Sequence, residues 1–155
     1  MKKLSILTIG LLLSTSVLVS CAVAAPVQYK GHYYAEINVP GGILWNDAKA
    51  QAETKNYKGL KGHLATITSQ GESNFIAANF PAAGYALGGY QASGSREPDG
   101  GWKWVTGKAW HFTNWSAGEP NNANGGEDIL MTWDPSGRWN DGTRNPVTGY
   151  IAEYE

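Results

Sequence analysis

The sequence predicts an α+β domain with two helices, two small antiparallel sheets and one long irregular loop. Two segments, residues 44–55 and 69–79, carry apolar side chains at helical spacing. Short apolar or alternating segments near both ends of the chain are typical of strands. The stretch 115–141 is rich in Gly, Pro, Asn and acidic residues. Ordered loops of this length are uncommon unless they are functional, so we expect this loop to carry the site.

The N-terminus has the pattern of an export signal. Two lysines, Lys2 and Lys3, precede a mostly apolar segment at residues 4–19, which is too short and too poorly flanked for a membrane-spanning helix. Export places the mature protein outside the cell, in a periplasm or at the cell surface. We therefore expect an extracellular, periplasmic or surface-anchored protein.

Two processing routes remain open for this signal. Leu-Val-Ser-Cys resembles a bacterial lipobox, which makes residues 1–20 the signal peptide and Cys21 the lipidated first residue. Alternatively, Ala-Val-Ala is a small-x-small cleavage site, and cleavage then follows Ala24. We expect contact with a membrane only through a lipid on Cys21, on the first of these routes.

Length, charge and cysteine content narrow the class of protein. The chain has 155 residues, and after the signal it is long enough for one domain, predicted at 27–155. The formal net charge of −1 becomes −3 without Lys2 and Lys3, and no basic run is present. We therefore expect no nucleic-acid partner. Cys21 is the single cysteine, so the mature domain forms no internal disulfide.

The first half of the domain contains both predicted helices. A strand is predicted over 29–37, followed by a turn at 39–42 and a helix over 44–55. Residues 56–62 are predicted to form a loop and 63–68 a short strand. Ser69 and Glu72 form a capping-box signature that opens the second helix. This helix ends before Pro81, because proline cannot continue a helix. The predicted buried face of the first helix is Trp45, Ala48 and Ala52.

The second half is predicted to contain strands and the long loop. The apolar segment 129–133 is predicted to be a buried strand, and 137–141 its paired return strand after a turn. The remaining predicted strands are 86–89, 102–105 and a closing strand at 150–154.

Five side chains in the loop and its return strand predict a site for a hard cation. Three are carboxylates and two are amides, and none offers nitrogen or sulfur as the natural ligand atom. Calcium takes about six to eight oxygen ligands of these kinds. Taken singly these residue types are typical of solvated turns, but the combined pattern favours a metal site. The predicted ligands are Glu119, Asn121, Glu127, Asn140 and Asp141.

The motifs E-P-N, G-E-D and W-N-D, in this order, resemble the calcium and sugar site of C-type lectin domains. The resemblance extends over roughly residues 33–155. It implies that Ca²⁺ is the cofactor and that the five residues are its ligands. It also implies that Glu119, Asn121, Glu127 and Asn140 contact a carbohydrate or glycoconjugate whose neighbouring hydroxyls bind the ion. E-P-N is similar to the motif of members that bind mannose, glucose, N-acetylglucosamine or fucose, whereas Q-P-D accompanies galactose.

The chain departs from this family pattern at several positions. Ala52 and Ala152 stand at one usual disulfide pair, Ile129 stands at a usual cysteine, and Ala86 stands at a usual tryptophan. A second calcium site of some members is also matched in part, although Ser95 stands where another acid is usual. The residues of this second set are Asp99, Asn122, Asp128 and the shared Glu127.

Three function classes follow from the sequence. The first is a calcium-dependent lectin or adhesin, with aromatic rings such as Trp110, Trp115 or Trp133 available for stacking on a sugar. The second is a protein-binding or structural module on the same fold, in which calcium only shapes the loop. The third is a glycosidase that uses Glu119 and Glu127. We expect no enzyme, because carboxylates clustered with amides and glycine turns are typical of a cation site, and the common catalytic motifs are absent from the sequence.

Overall fold

A computed structural model describes residues 24–81 and 83–155. The predicted signal peptide, the lipidation of Cys21 and both cleavage positions fall wholly or partly outside these residues, and they stay predictions. The described residues form two helices and nine strands. In chain order these are β1 (Val27–Tyr29), β2 (His32–Ile43), α1 (Trp45–Thr54), β3 (Asn56–Tyr57), β4 (Leu60–Leu64), α2 (Gln70–Asn79), β5 (Tyr85–Gln91), β6 (Trp102–Trp104), β7 (Glu127–Thr132), β8 (Trp139–Thr143) and β9 (Val147–Tyr154).

Both predicted helices are confirmed. In α1 the side chains of Trp45, Ala48 and Ala52 are buried, and the Trp45 indole N–H donates to the carbonyl of Leu87 at 2.9 Å. In α2 the Ser69 hydroxyl accepts the backbone N–H of Glu72 at 3.3 Å, as the capping signature predicts. Each helix is therefore positioned by a local sequence signal and by one buried face.

The predicted α+β class is confirmed, but the two predicted sheets are joined. Strands β2 and β9 pair antiparallel, and β7 pairs with β5 and β8. A short parallel pairing links the two groups, with Tyr85 opposite Gly149 and Ala86 opposite Tyr150. The main path runs β1-β2-β9-β5-β7-β8. This parallel junction places the loop-bearing strands on the terminal sheet, so the site has a rigid base.

Three local predictions were wrong. The segment 56–62 forms the hairpin of β3 and β4 instead of a loop, because Lys58 and Gly59 adopt positive φ angles of 51° and 84° and turn the chain back tightly. The strand predicted over 63–68 accordingly ends at Leu64. The turn predicted at 39–42 lies inside β2, where the register against β9 shifts between Asn38 and Ile43.

Apolar packing occupies the positions at which the resemblance implies disulfides. Ala52 and Ala152 are fully buried in one core cluster together with Ile129. A second core cluster contains Trp104 and Trp139, which lie edge to face with ring centroids 5.7 Å apart. Trp139 immediately precedes Asn140 and Asp141, so this aromatic core positions the return strand of the predicted site.

Candidate metal and carbohydrate site

The strand that carries Asn140 and Asp141 is fixed from two sides. On one side β8 pairs with β7, with Leu130 opposite Asp141. On the other side the chain that leads into the loop runs parallel to β8. The Trp139 N–H donates to the carbonyl of Asn114, and the Ser116 N–H donates to the carbonyl of Trp139, both at 2.9 Å. The start of the loop is therefore held against the two polar residues that end the W-N-D motif.

Asp141 connects the loop to this strand. Its side chain is fully buried, and its carboxylate accepts the backbone N–H of Asn121 at 3.1 Å and that of Asn122 at 2.7 Å. The peptide bond between Glu119 and Pro120 is cis. A buried carboxylate must be hydrogen-bonded or paired, and here the loop backbone supplies the donors. Asp141 thus brings the E-P-N segment to the return strand.

A closed turn brings Glu127 to the same place. The amide oxygen of Asn122 accepts the backbone N–H groups of Gly126 and Glu127, at 2.6 and 3.0 Å. The Glu127 carboxylate in turn accepts the backbone N–H of Ala123 at 2.6 Å. Asn122 and Asn124 adopt positive φ angles of 48° and 60°, which asparagine tolerates better than most residues. The turn residues therefore hold a carboxylate over the loop.

The carboxylates of this site repel one another. Burial raises the pKa of Glu119, and the nearby carboxylates of Asp141 and Glu127 raise it further, against the opposing effect of the Asn121 side chain. Burial also raises the pKa of Glu127, and Asp141 adds to this shift while the N–H of Ala123 opposes it. The Oε2 atom of Glu119 is buried and has no hydrogen-bond partner. Anionic oxygens in this arrangement match a bound divalent cation, which lowers their mutual repulsion.

The five predicted ligands are brought together to different degrees. Asn140 is 8% exposed and its amide nitrogen donates to the carbonyl of Asp141, so its amide oxygen is the atom left for a ligand, whereas Asn121 is exposed. The three carboxylates are near one another, but their ligand atoms do not all lie within 4.8 Å of one another. Among the described residues, the metal-type side chains whose ligand atoms all lie within 4.8 Å of one another are those of His32, Glu153 and Glu155, in another part of the fold.

The structure does not gather the predicted second metal site. Asp99 pairs with Arg96 at 2.9 Å, and Asp128 pairs with Arg144 at 2.9 Å through both carboxylate oxygens. The amide oxygen of Asn122 already closes the loop turn. Asp99 is therefore neutralised by an arginine three residues before it in the sequence, and Asp128 is neutralised by an arginine just after the end of β8. The sequence pattern predicts this site from the acids alone, because their pairing with arginines is visible only in the structure.

Most tryptophans are core residues, as expected from their size. Trp110 and Trp115 pack with Trp102 and Trp139 in one aromatic cluster. Trp133 is 50% exposed and follows β7, two residues beyond Met131, which pairs with Asn140 in β8. Of the three tryptophans named for stacking on a sugar, Trp133 is the exposed one.

Sequence reasoning missed a cleft beside the predicted ligands. Glu127 and Asn140 line a cleft of about 290 Å³ together with Met131 and side chains of the turn between β8 and β9. No local motif marks these turn residues, because they reach the site only through the pairing of β8 with β7 and of β9 with β5. Those residues are Asn145 and Pro146 in the turn, with Thr143 and Thr148 at the adjoining strand ends.

Comparison with known proteins assigns the family. Residues 44–153 match the profile described as "Lectin C-type domain". The chain belongs to the C-type lectin domain family. Domains of this family commonly bind Ca²⁺ and carbohydrates, are mostly extracellular or secreted, and are generally not enzymes. Within the described part of the chain, neither helix of this lectin domain is long and apolar enough to cross a membrane.

Relatives and solved structures agree with this assignment. The lectin domain is 33% identical to Halomucin from Haloquadratum walsbyi over 140 residues, which is 81% of this chain and 1% of that protein. The structure of the EPNH mutant of CEL-I has a TM-score of 0.70 at 24% identity, with 83% of this chain and 93% of that chain covered. A calcium-independent type II antifreeze protein has a TM-score of 0.67 at 20% identity, with coverages of 86% and 96%. The chain thus spans a small part of its first curated relative, while both structures share its fold.

Proposed function

We propose that this lectin domain binds carbohydrate through a calcium ion held by Glu119, Asn121, Glu127, Asn140 and Asp141. One observation carries the proposal: a buried carboxylate oxygen of Glu119 has no hydrogen-bond partner, and the neighbouring carboxylates of Asp141 and Glu127 add to the burial that raises the pKa of this group. A buried anionic oxygen without a partner is costly, and a divalent cation removes this cost. The donor set fits calcium, which prefers carboxylate and amide oxygens.

The side chains around the ion also define how a sugar binds. Calcium, when bound, accepts two neighbouring hydroxyl oxygens of a sugar as further ligands. Glu119 and Glu127 accept hydrogen bonds from those hydroxyls, while the amide groups of Asn121 and Asn140 donate. The order of acceptors and donors selects the orientation of the two hydroxyls. With E-P-N in the loop, we expect sugars of the mannose, glucose or fucose type.

The direct test is calorimetry on the purified protein. Calcium is titrated first, and mannose is then titrated into the calcium-loaded and the chelator-treated protein. We expect one calcium-binding event and mannose binding that is lost with chelator. Mannose binding that persists in chelator contradicts the proposal, as does a protein that binds no calcium.

Calcium should stabilise the folded domain. An ion that binds only the folded state raises the free energy of unfolding by RT ln(1 + [L]/Kd), which is about 2.7 kcal/mol at a hundred times Kd. For a domain of this size we expect the melting temperature to rise by about 10 °C between chelator and calcium at a hundred times Kd. Equal melting temperatures, recorded by circular dichroism in both buffers, contradict a site in this loop.

Calcium affinity should fall at a higher pH than isolated glutamates suggest. Burial raises the pKa of both Glu119 and Glu127 in the calcium-free protein. Their protons compete with calcium, so affinity decreases as the pH falls through these raised values, which lie above the ordinary glutamate pKa of about 4.3. The stability of the calcium-free fold depends on pH in the opposite sense. The free energy of unfolding decreases as the pH rises from the unfolded-state pKa to the folded-state pKa of these groups, because the folded state binds more protons than the unfolded state in this range.

Calorimetric titrations at several pH values between 4 and 7 measure this dependence. Glu119→Gln removes one titrating group and should flatten the dependence as well as weaken binding. A calcium affinity that is constant down to pH 4 contradicts the involvement of these carboxylates.

A structural or protein-binding module is the second candidate. The observation that favours it is the shared fold of a calcium-independent type II antifreeze protein, because one fold can serve functions that do not depend on calcium. This candidate predicts that the calcium-loaded domain binds no monosaccharide or oligosaccharide on a glycan array. Glycan binding by the loaded domain, lost in chelator, decides for the lectin.

Export and a lipid anchor complete the proposal. We propose that the domain acts outside the cell, either free or held at a membrane by a lipid on Cys21. A mass spectrum of the mature N-terminus distinguishes the two, because a lipidated Cys21 and an unmodified Ala25 differ in both sequence and mass.

A further inference from the structure

A second group of metal-type side chains lies at the paired ends of the terminal strands. His32 begins β2, His63 lies in β4, and Glu153 and Glu155 lie at or just after the end of β9. The strand register brings them together, since Glu153 pairs with Tyr34 on one side and with His63 on the other. None of these residues belongs to the proposed calcium site.

Three of these residues lie close enough together to share one ion. The Nδ1 atom of His32 lies 2.6 Å from Oε1 of Glu153 and 3.3 Å from Oε2 of Glu155. One ligand atom from each residue lies within 4.8 Å of the other two. In the part of the chain that the structure describes, no other set of three His, Cys, Asp or Glu side chains meets this criterion.

His63 faces the same group with its Nε2 atom. Its Nδ1 lies 2.9 Å from the carbonyl oxygen of Leu64, which accepts a hydrogen bond from the ring. Nε2 is buried and lies 3.3 Å from Oε1 of Glu155. Histidines that bind a metal commonly donate one ring N–H to a backbone carbonyl and turn the other nitrogen toward the ion, and His63 is oriented in this way toward the carboxylates.

The negative charges of this cluster are only partly balanced by lysine. Glu153 is fully buried, and Glu72, which shares the Tyr34 hydroxyl with it, is 6% exposed. Within the described residues the cationic side chain paired with these acids is Lys108, which contacts Glu155. Burial raises the pKa of Glu153, against the opposing effects of the Thr66 N–H and of the two histidines. Three carboxylates thus share one ammonium group and two imidazoles.

We propose that His32, His63, Glu153 and Glu155 bind a divalent transition metal of the zinc type. Zinc bonds of about 2.0–2.2 Å in a tetrahedral site place ligand atoms about 3.3 Å apart. Glu155 contacts His32 through Oε2 and His63 through Oε1, and both contacts have this separation of 3.3 Å. His32 and Glu153, which are hydrogen-bonded at 2.6 Å, must move apart when the ion binds. The imidazole nitrogens select zinc over calcium, which takes oxygen ligands.

The four ligands are not yet equally placed. His63 stands outside the group that lies within 4.8 Å, so four-coordinate binding needs a rearrangement of side chains. The side chain of Glu155 is 26% exposed, which leaves it room to move. The metal joins β2, β4 and β9, a region without cysteine in the described residues. It therefore acts as a cross-link between the terminal strands and stabilises the fold.

Zinc titration by calorimetry, with the loop site saturated by calcium, tests the proposal on the purified protein. We expect one equivalent of zinc to bind. His32→Gln and His63→Gln should each weaken binding by at least about tenfold, the lower end of what even second-shell changes cost. The matched control is His111→Gln, because His111 is the remaining histidine of the chain and is exposed. The His111→Gln variant should bind zinc with the same affinity as the wild type.

Cobalt(II) provides a second measurement that does not depend on the variants. The wild-type protein with cobalt should show the intense visible absorption of a tetrahedral ion, displaced by one equivalent of zinc. Wild-type protein that binds no zinc, an octahedral cobalt spectrum, or equal weakening by His111→Gln overturns the proposal. Circular dichroism confirms that each variant is folded, and if His32→Gln is not, His63→Gln and the cobalt spectrum decide.

Discussion

Replacing Asp141 by Asn should weaken calcium binding by about a hundredfold and abolish calcium-dependent sugar binding. The substitution keeps the size of the side chain but removes one of three anionic ligands, and calcium affinity depends on the number of ligand charges. In the wild type, the Asp141 carboxylate accepts hydrogen bonds from the backbone N–H groups of Asn121 and Asn122. The variant places an amide NH₂ group, which cannot accept these bonds, near the same donors. The loop therefore loses its metal ligand and part of its attachment to β8 in one step.

Calcium titration by calorimetry measures this effect, and Asp47→Asn is the matched control. Asp47 is exposed on α1, so the same chemical change there should leave calcium affinity unaltered. Melting curves of Asp141→Asn in chelator separate loss of the ligand from loss of the fold. A folded Asp141→Asn protein with wild-type calcium affinity excludes the proposed site.

Exchanging the acceptor and the donor of the E-P-N motif should reverse the sugar preference. In the double variant Glu119→Gln and Asn121→Asp, an amide donor replaces the carboxylate at position 119 and a carboxylate acceptor replaces the amide at position 121. The net charge around the ion is unchanged. Hydroxyls of the opposite orientation then satisfy the ligand positions, so galactose should replace mannose as the preferred sugar. Each monosaccharide competes with a glycan-coated surface for the calcium-loaded protein, and the ratio of the two inhibition constants measures the preference.

The control for this exchange is the pair Glu97→Gln and Asn74→Asp. Both residues are exposed, and neither lies in the loop that carries E-P-N. The control should keep the wild-type ratio. An unchanged ratio in Glu119→Gln with Asn121→Asp, in a protein that still binds calcium, means that another part of the surface selects the sugar.

The sequence by itself determined the local features of this lectin domain. The periodic apolar residues of α1 and the Ser69 cap of α2 act within a few residues of the chain, and the structure has both. The oxygen-rich character of residues 119–141 is likewise a property of composition and spacing. Such signals are readable because helix periodicity and capping depend on neighbours in sequence.

The tertiary structure alone decided which polar groups meet. Asp141 is buried under the backbone of Asn121 through contacts twenty residues apart, and Asp128 is neutralised by Arg144 from a turn sixteen residues later. The approach of His32 to Glu153 spans 121 residues. These contacts depend on strand register and on the parallel junction between β5 and β9, and no group of residues adjacent in the sequence reveals either of them. Long-range pairing therefore determined the partners of each charge, whereas the sequence determined only which charges were present.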